Sequence, residues 1–245
     1  MNSGCKIRLN RLFNNKGKMF LLPMDHRLTQ GVNANFDIER IINLANSYIN
    51  AIMVRPSQIS KLADFNLGNI QIVCALTGKL DRGIDHEIIN SAEYALSVGA
   101  DALNIEIKYG SEFDLKSINK FYSIIENAHK YGFPILITIY AQNNIILRDG
   151  DKAYANACII AEEIGADIIK TNFPKNENVL EMINTNINTP IIVAGGSVVD
   201  DIQLLTDTEF YIKNGIKGVA YGRNIWCKKN PQKLIKDISR ILMYE

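Results

Sequence analysis

One lysine follows directly on a short aliphatic run. Lys170 comes after Ile168 and Ile169, in a segment that begins at Gly165 and has the pattern of a strand preceded by a helix. Partial burial among aliphatic side chains disfavours the ammonium form and lowers a lysine pKa, which frees the amine to attack a carbonyl. The pattern also suits a structural lysine paired with a carboxylate, so spacing alone leaves both roles open.

Two groups that can move protons also follow apolar segments. Tyr140 ends the run 135–139, where a phenol could relay a proton to a developing alkoxide or simply fill space. Asp25 follows the run 19–24, where its carboxylate could act as a base, hold Lys170 in place or cap the next loop. Both residues are candidates for acid–base steps.

A third segment alternates polar and apolar residues. Asn104, Glu106 and Lys108 share one face of a predicted strand, and we expect that face to line the interior of the sheet. A buried Glu106 carboxylate would set the pKa values of Lys108 or Lys170, and a purely structural role for Glu106 is equally open.

Two glycine-containing turns predict an anion site. Gly195-Gly196-Ser197 and Gly222-Arg223 follow the last two apolar segments. Glycine lets backbone N–H groups approach an anion closely, and a helix that starts behind the turn adds a favourable dipole. Arg223 could add a charge-assisted hydrogen bond. We expect a phosphate here, although tight turns also require glycine.

The elements that must position these groups alternate along the whole chain. Short strands that are apolar on both faces and are followed by helices indicate a parallel sheet covered by helices, and eight such units favour a closed (β/α)8 TIM barrel over an open sheet. We expect one α/β domain over residues 1–245, with its active site where the strands end. The predicted strands are 19–24, 51–54, 70–76, 102–107, 134–140, 167–170, 190–194 and 218–221, the predicted helices are 37–47, 85–98, 115–131, 151–164, 177–183, 200–213 and 231–242, and 142–150 is predicted as a polar loop.

Composition argues against several classes of protein. The chain has 245 residues, with 27 lysines and arginines against 26 aspartates and glutamates, so we expect neither nucleic acid nor a membrane as a partner. Because no signal peptide or spanning segment is evident and the four cysteines lie far apart, we expect a cytoplasmic protein with reduced thiols. His26, His86 and His129 are scattered, so we expect no metal site, with His86 and His129 on the surface.

Several short motifs resemble one enzyme family. They are similar to the DeoC/FbaB/LacD aldolases, in the branch that holds the archaeal-type class I fructose-bisphosphate aldolases and 2-amino-3,7-dideoxy-D-threo-hept-6-ulosonate synthase. The resemblance extends from about Lys18 to Ile241. The motifs that carry it are Pro23-Met24-Asp25-His26, Gly110-Ser111-Glu112, the segment 165–171, Ala194-Gly195-Gly196 and the segment 218–225.

The resemblance implies a role for each matching residue. Lys170 matches the Schiff-base lysine, Tyr140 the proton carrier at the cleaved C–C bond, and Asp25 the neighbouring acid–base group. The phosphate turns match at Gly195, Gly196, Gly222 and Arg223. The resemblance also implies a homo-oligomer of five or ten barrels, and no cofactor or metal, because the iminium replaces a Lewis acid.

This chain departs from the family pattern near the predicted mouth of the barrel. Arg27 replaces a glycine after Asp-His, the segment 141–143 replaces Pro-Arg-Gly after the tyrosine, and Glu106 and Lys108 replace neutral polar residues. These departures leave the far end of the substrate open, and fructose 1,6-bisphosphate with it. The phosphate beside the ketone should still be bound.

The favoured function is a class I aldolase or transaldolase that acts on a phosphorylated ketose or dihydroxyacetone phosphate, together with an aldehyde. One alternative is a transaldolase of the 2-amino-3,7-dideoxy-D-threo-hept-6-ulosonate synthase type, which would use aspartate semialdehyde, with Arg27, Lys108 or Arg55 holding its carboxylate. Two others stay open. One is a phosphosugar isomerase or epimerase with Glu106 or Asp25 as base, and the other is a barrel that binds a phosphorylated metabolite without turnover.

Overall fold

Eight parallel strands close into a barrel, as the alternation of strands and helices predicts. The computed structural model describes residues 2–34, 36–80, 87–110 and 112–243, without the side chains of 112–117. The first barrel strand pairs with both the second and the last, so the sheet has no open edge. The predicted (β/α)8 barrel is therefore confirmed.

The strands begin and end within two residues of their predicted positions. The barrel strands are β1 (Met19–Pro23), β2 (Ala51–Val54), β3 (Gln71–Ala75), β6 (Ala102–Tyr109), β7 (Ile135–Ala141), β8 (Ile168–Thr171), β9 (Ile191–Ala194) and β10 (Gly218–Ala220), and the short strands β4 (Thr77–Gly78) and β5 (Glu87–Ile88) pair antiparallel above β3.

Helices surround the barrel. Asp37 caps one of them as predicted, because its side chain accepts a hydrogen bond from the Arg40 N–H at 3.0 Å. In the described ranges the helices are α1 (Ser3–Arg11), α2 (Arg27–Gln30), α3 (Ile38–Ala45), α4 (Pro56–Leu62), α5 (Ala92–Ser97), α6 (Glu112–Lys130), α7 (Asn143–Asp149), α8 (Lys152–Ile164), α9 (Glu177–Asn186), α10 (Asp201–Lys213), α11 (Arg223–Trp226) and α12 (Pro231–Met243).

Two of the predicted elements are wrong. The predicted helix 85–98 starts only at Ala92, capped by the side chain of Ser91, because Glu87–Ile88 pairs with Thr77–Gly78. Residues 85 and 86, and with them the predicted surface position of His86, lie outside the described residues, as does Ser111 of the Gly110-Ser111-Glu112 motif. The predicted polar loop 142–150 contains the helix α7, whose Ile145 is buried.

Alternate residues along the strands pack into two separate cores. Phe20 and Leu22 of β1 belong to the core between barrel and helices, whereas Met19 and Leu21 belong to the core inside the barrel. The helix α1, which the sequence pattern did not predict, is followed by Leu12, which is fully buried in the inner core. Leu12 therefore closes the base of the barrel.

Strand alternation also fixes which polar residues point inward. Ala102, Leu136 and Ile168 belong to the inner core, so the residues two and four positions further along share their face. Those residues are Asn104, Glu106, Thr138, Tyr140 and Lys170. No helix within the described ranges is long and apolar enough to cross a membrane.

Candidate active site

A cavity of about 440 Å³ opens at the carboxyl ends of the barrel strands. This is the end of a TIM barrel at which catalytic residues collect. Lys108, Arg27 and Ser197, which were also predicted for the site, do not line it. The residues that line it are Pro23, Asp25, His26, Thr29, Gln30, Met53, Arg55, Lys79, Glu106, Tyr140, Lys170, Asn172, Ala194, Gly195, Gly196, Ala220, Gly222, Arg223 and Asn224.

Lys170 lies on the inner wall of this cavity and is only 7% exposed. Burial lowers the pKa of its amine, although the nearby carboxylates of Asp25 and Glu106 oppose that shift. A lowered pKa increases the fraction of neutral amine, which is the nucleophilic form.

Tyr140 lines the same cavity from the neighbouring strand β7. Burial raises the pKa of its phenol, the negative charges of Glu106 and Asp25 raise it further, and Arg223 opposes them. The phenol is therefore protonated at neutral pH and can donate a hydrogen bond or a proton.

Asp25 is held by an arginine from the next strand end. The Arg55 guanidinium lies 3.5 Å from Asp25 Oδ2 and donates to the Asp25 carbonyl at 3.2 Å and to the Thr77 carbonyl at 2.8 Å. These contacts join the loops after β1, β2 and β3. Since Arg55 is 9% exposed and its guanidinium is already engaged, the structure favours it as a support for Asp25 over the predicted role as a carboxylate ligand.

His26 stands beside Asp25 but does not hydrogen-bond to it. Its Nδ1 lies 3.6 Å from Asp25 Oδ1, and its ring contacts the Trp226 ring edge-on, with ring centroids 5.5 Å apart. Burial lowers the pKa of His26, and the positive charges of Lys170, Arg223 and Arg55 oppose the raising effect of Asp25. The imidazole is therefore neutral at physiological pH.

Glu106 also lines the cavity, on the inward face of β6. Its backbone N–H donates to Thr77 Oγ1 at 2.8 Å, which fixes the strand beside the cavity. Burial raises the pKa of the carboxyl group and Asp25 raises it further, whereas Lys170, Lys108 and Lys79 lower it. The expectation that this polar face lines the barrel interior therefore agrees with the structure.

The glycine turns approach their neighbours too closely for a side chain. A Cβ on Gly222 would lie 2.7 Å from the Pro23 carbonyl oxygen and 3.0 Å from the His26 ring, and a Cβ on Gly195 would lie 2.8 Å from the Tyr221 ring. Gly196 has a φ of +58°, which glycine adopts without strain. Arg223 reaches across and donates to the Gly196 carbonyl at 2.7 Å.

Asn224, to which the sequence assigned no role, holds the two turns together. Its side-chain amide donates to the carbonyls of Gly195 at 2.9 Å and Ser197 at 3.0 Å, and its oxygen accepts from the Val199 N–H at 2.9 Å. Asn224 is 1% exposed. The available signal was its place directly after Arg223 in the motif 218–225.

Arg27 turns away from the cavity. Its guanidinium donates to the carbonyls of Ala34 at 3.3 Å and Phe36 at 3.5 Å and lies over the Phe36 ring. The structure therefore does not bring Arg27 to the position from which it was expected to bind a substrate carboxylate.

Cys5, His129 and Asp167 form a group of possible metal ligands at the opposite end of the barrel. His129, which was expected on the surface, is partly exposed, and its Nε2 lies 2.9 Å from Asp167 Oδ2, which also accepts from the Ile135 N–H at 2.8 Å. Burial raises the pKa of Cys5 to about 12, and Asp167 raises it further, so Cys5 is a thiol at neutral pH. The group ties α1 to the base of the barrel.

A closed eight-stranded barrel with a buried, inward-facing amine and glycine-lined turns at one mouth has the architecture of an α/β-barrel enzyme. Residues 19–228 match the model of the DeoC/LacD family of aldolases, and the chain belongs to that family. The expected resemblance is thereby confirmed, and the protein is an aldolase-type enzyme.

Curated relatives extend over nearly the whole chain. The chain is 30% identical over 242 residues to 2-amino-3,7-dideoxy-D-threo-hept-6-ulosonate synthase 1 of Archaeoglobus fulgidus, which covers 98% of this chain and 91% of that protein. It is 26% identical over 246 residues to the synthase of the same name from Halobacterium salinarum, covering 98% and 92%.

Solved structures share the fold. An archaeal fructose 1,6-bisphosphate aldolase superposes with a TM-score of 0.86 at 22% identity, covering 97% of this chain and 98% of that one. A second archaeal structure, also with a TM-score of 0.86 at 22% identity and covering 97% and 99%, has its catalytic lysine covalently bound to the carbinolamine intermediate of its substrate.

Proposed function

We propose that this chain is a class I aldolase or transaldolase that forms or breaks a C–C bond through an iminium on Lys170. The observation that carries the proposal is the position of the Lys170 amine, which is buried, faces inward and shares one cavity with the glycine turns. A neutral amine there can attack a ketone carbon while the turns hold the phosphate of the same molecule.

The phosphate is assigned to the turns after β9 and β10. The backbone N–H groups of Gly196 and Gly222 supply the donors, and the guanidinium of Arg223 supplies the charge. Gly195 instead allows the close approach of the backbone, because its own N–H already donates to the Ala220 carbonyl at 3.2 Å. Gly222 precedes α11 and Arg223 begins it, and because α11 consists of a single turn, the backbone donors and Arg223 carry the assignment more than a helix dipole does.

Tyr140 and Asp25 are assigned to proton transfer. When the enamine attacks an aldehyde, the protonated Tyr140 phenol donates to the developing alkoxide, and the reverse step returns that proton during cleavage. Asp25, supported by Arg55, shares the proton transfers with Tyr140 as the C–C bond breaks or forms. The iminium withdraws electrons from the neighbouring carbon, so the reaction needs no external cofactor.

The donor substrate is proposed to be dihydroxyacetone phosphate or a phosphorylated ketose. For the acceptor, an amino-acid semialdehyde such as aspartate semialdehyde is a second candidate beside a triose phosphate. The curated relatives at 30% and 26% identity are named as synthases of a 2-amino ulosonate, whereas the fructose-bisphosphate aldolase structures are 22% identical. Product analysis by mass spectrometry with each acceptor in turn separates these candidates.

Borohydride reduction in the presence of dihydroxyacetone phosphate tests the mechanism. We expect an irreversible adduct on Lys170 in the wild type and none in Lys170→Met. Lys213→Met, at the exposed end of α10, is the matched control and should be labelled like the wild type. Wild-type protein without an adduct on Lys170 would refute the proposal.

Two further measurements separate the remaining alternatives from the proposed function. An isomerase or epimerase that uses Glu106 or Asp25 as its base would keep exchanging substrate protons with solvent in Lys170→Met. A barrel that only binds a phosphorylated metabolite would be stabilised thermally by that ligand and form no product.

We also infer a cytoplasmic homo-oligomer of five or ten subunits. The support is the family resemblance, together with four cysteines that are all free thiols. Light scattering after gel filtration tests the subunit number. Activity that survives treatment with a chelator supports the absence of a metal cofactor.

A further inference from the structure

Glu106 lies inside the barrel at the level of Lys170. The strand register pairs Glu106 with Thr138, and Thr138 with Lys170, so the three residues occupy one level of the barrel on its inward face. Adjacent strands are about 4.8 Å apart, so the backbones of Glu106 and Lys170 are two strand spacings apart. Two long inward-pointing side chains can span that gap, and both line the cavity.

The proposed function leaves one proton unassigned. Attack of the Lys170 amine on a ketone first gives a carbinolamine, whose hydroxyl leaves as water only after it receives a proton. Tyr140 is assigned to the substrate C–C bond, and Asp25 is engaged with Arg55. Besides Asp25, Glu106 is the residue with a carboxyl group among those that line the cavity.

We propose that Glu106 is the catalytic acid that protonates the carbinolamine hydroxyl formed at Lys170, so that water leaves and the iminium forms. The inference rests on the proposed function and goes beyond it by assigning Schiff-base formation and C–C chemistry to different residues.

The step balances in protons and charge. The Lys170 ammonium first passes a proton to the Glu106 carboxylate, which gives a neutral amine and a neutral acid. The amine adds to the ketone carbon, and one N–H proton moves to the oxygen to give the carbinolamine. Glu106 then protonates the hydroxyl, the C–O bond breaks, water leaves, and an iminium cation remains beside the restored carboxylate.

The electrostatics of the cavity support this exchange. Burial raises the pKa of Glu106 and lowers that of Lys170, so a proton passes between the two groups at a smaller cost than between the same groups in water. Lys108 and Lys79 also lower the pKa of Glu106, which favours return of the carboxylate once water has left.

The test is a rapid-quench experiment with the full-length enzyme and dihydroxyacetone phosphate. Borohydride added at successive times traps the iminium but not the carbinolamine, so the trapping rate on Lys170 reports loss of water. We expect Glu106→Gln to slow trapping by about 10²–10⁴-fold, with little change in the Kd for dihydroxyacetone phosphate. Glu126→Gln, an exposed Glu-to-Gln change on α6, should match the wild type.

Chemical rescue separates an acid from a residue that only supports the fold. In Glu106→Ala, added formate or acetate should restore part of the trapping rate, and Glu106→Asp should retain more of it than Glu106→Gln. Wild-type trapping rates in Glu106→Gln, or no rescue of Glu106→Ala by either acid, would overturn the inference while leaving the Lys170 mechanism in place. Absence of any Lys170 adduct in the wild type would overturn both.

Discussion

Burial of Lys170 has opposite consequences for reactivity and stability. The barrel holds a titratable amine where water solvates it poorly, and burial outweighs the two nearby carboxylates, so the pKa is lowered. A lowered pKa increases the fraction of neutral amine, but it also means that the folded state disfavours the protonated form relative to the unfolded chain.

Lys170→Met should therefore stabilise the protein at neutral pH. The unfolded lysine titrates near 10.4, and the folded one titrates lower. The penalty for burying it is present in full below the folded pKa and disappears as pH rises to the unfolded pKa. We expect an increase in the free energy of unfolding of about 1–2 kcal/mol at neutral pH, which shrinks towards zero above pH ~10.4.

Urea denaturation at several pH values measures this difference. Lys213→Met serves as the control, because an exposed lysine carries no burial penalty and should show no such pH-dependent gain. If Lys170→Met proves less stable than the wild type at neutral pH, the attraction of Asp25 and Glu106 outweighs burial and the argument fails.

Tyr140→Phe should separate the two halves of the reaction. Removing the phenol removes the proton carrier proposed for the C–C bond but leaves Lys170 and the two glycine turns in place. We expect kcat for cleavage or condensation to fall about 10²–10⁴-fold, while borohydride still labels Lys170 at the wild-type rate. Loss of labelling in this variant would instead place Tyr140 in Schiff-base formation.

The residues on the strands could be predicted because strand alternation is regular. An inward or outward direction follows from counting by two along a strand, so the polar face that carries Asn104 and Glu106 could be predicted. The partners of Arg55 could not, because its contacts to Asp25 and Thr77 depend on how separate loops meet. Asn224 was missed for the same reason.

At the scale of elements, the arrangement of the two glycine turns depends on the buried Asn224 amide as well as on glycine. The three hydrogen bonds of Asn224 bridge the loop after β9 and the start of α11. Glycine allows the tight approach of the backbones, and Asn224 selects one arrangement of the two turns.

Asn224→Ala should weaken phosphate binding without removing the nucleophile. Each lost hydrogen bond costs about 1 kcal/mol, and a loosened turn holds its N–H donors less well. We expect KM for the phosphorylated donor to rise about 10–100-fold by that arithmetic, with Lys170 still labelled at saturating donor. Asn188→Ala, on an exposed loop, is the control, and an unchanged KM in Asn224→Ala would contradict the assignment.

Helices were predicted less well than strands. The helix α4 has a proline, Pro56, at its first position, which is a recognisable signal for the start of a helix. The helix α1 gives no such signal, because Cys5 is its one buried residue and it therefore has no strong apolar face. The predicted helix 85–98 fails at its start because a tertiary pairing with β4 overrides the local pattern.

At the scale of the whole molecule, the two ends of the barrel differ in what they contribute. One end carries the cavity, and the other is closed by α1 and the buried Leu12, which packs into the same inner core as Met19 and Leu21. This division is general in TIM barrels, in which the C-terminal face carries the active site and residues at the opposite face contribute to stability. Changes at the base should therefore alter the free energy of unfolding and leave the chemistry intact.

Leu12→Ala tests this division directly. Leu12 is fully buried, so truncation removes apolar contact and leaves a cavity, and we expect a loss of about 2–5 kcal/mol in the free energy of unfolding. Ile7→Ala, on the helix α1 that precedes Leu12, is the control, since Ile7 is 52% exposed and should lose far less. Urea denaturation measures stability, and KM with Lys170 trapping measures the site. A Leu12→Ala protein that remains folded but binds dihydroxyacetone phosphate several-fold more weakly would show that the base of the barrel is coupled to the cavity, against the division argued above.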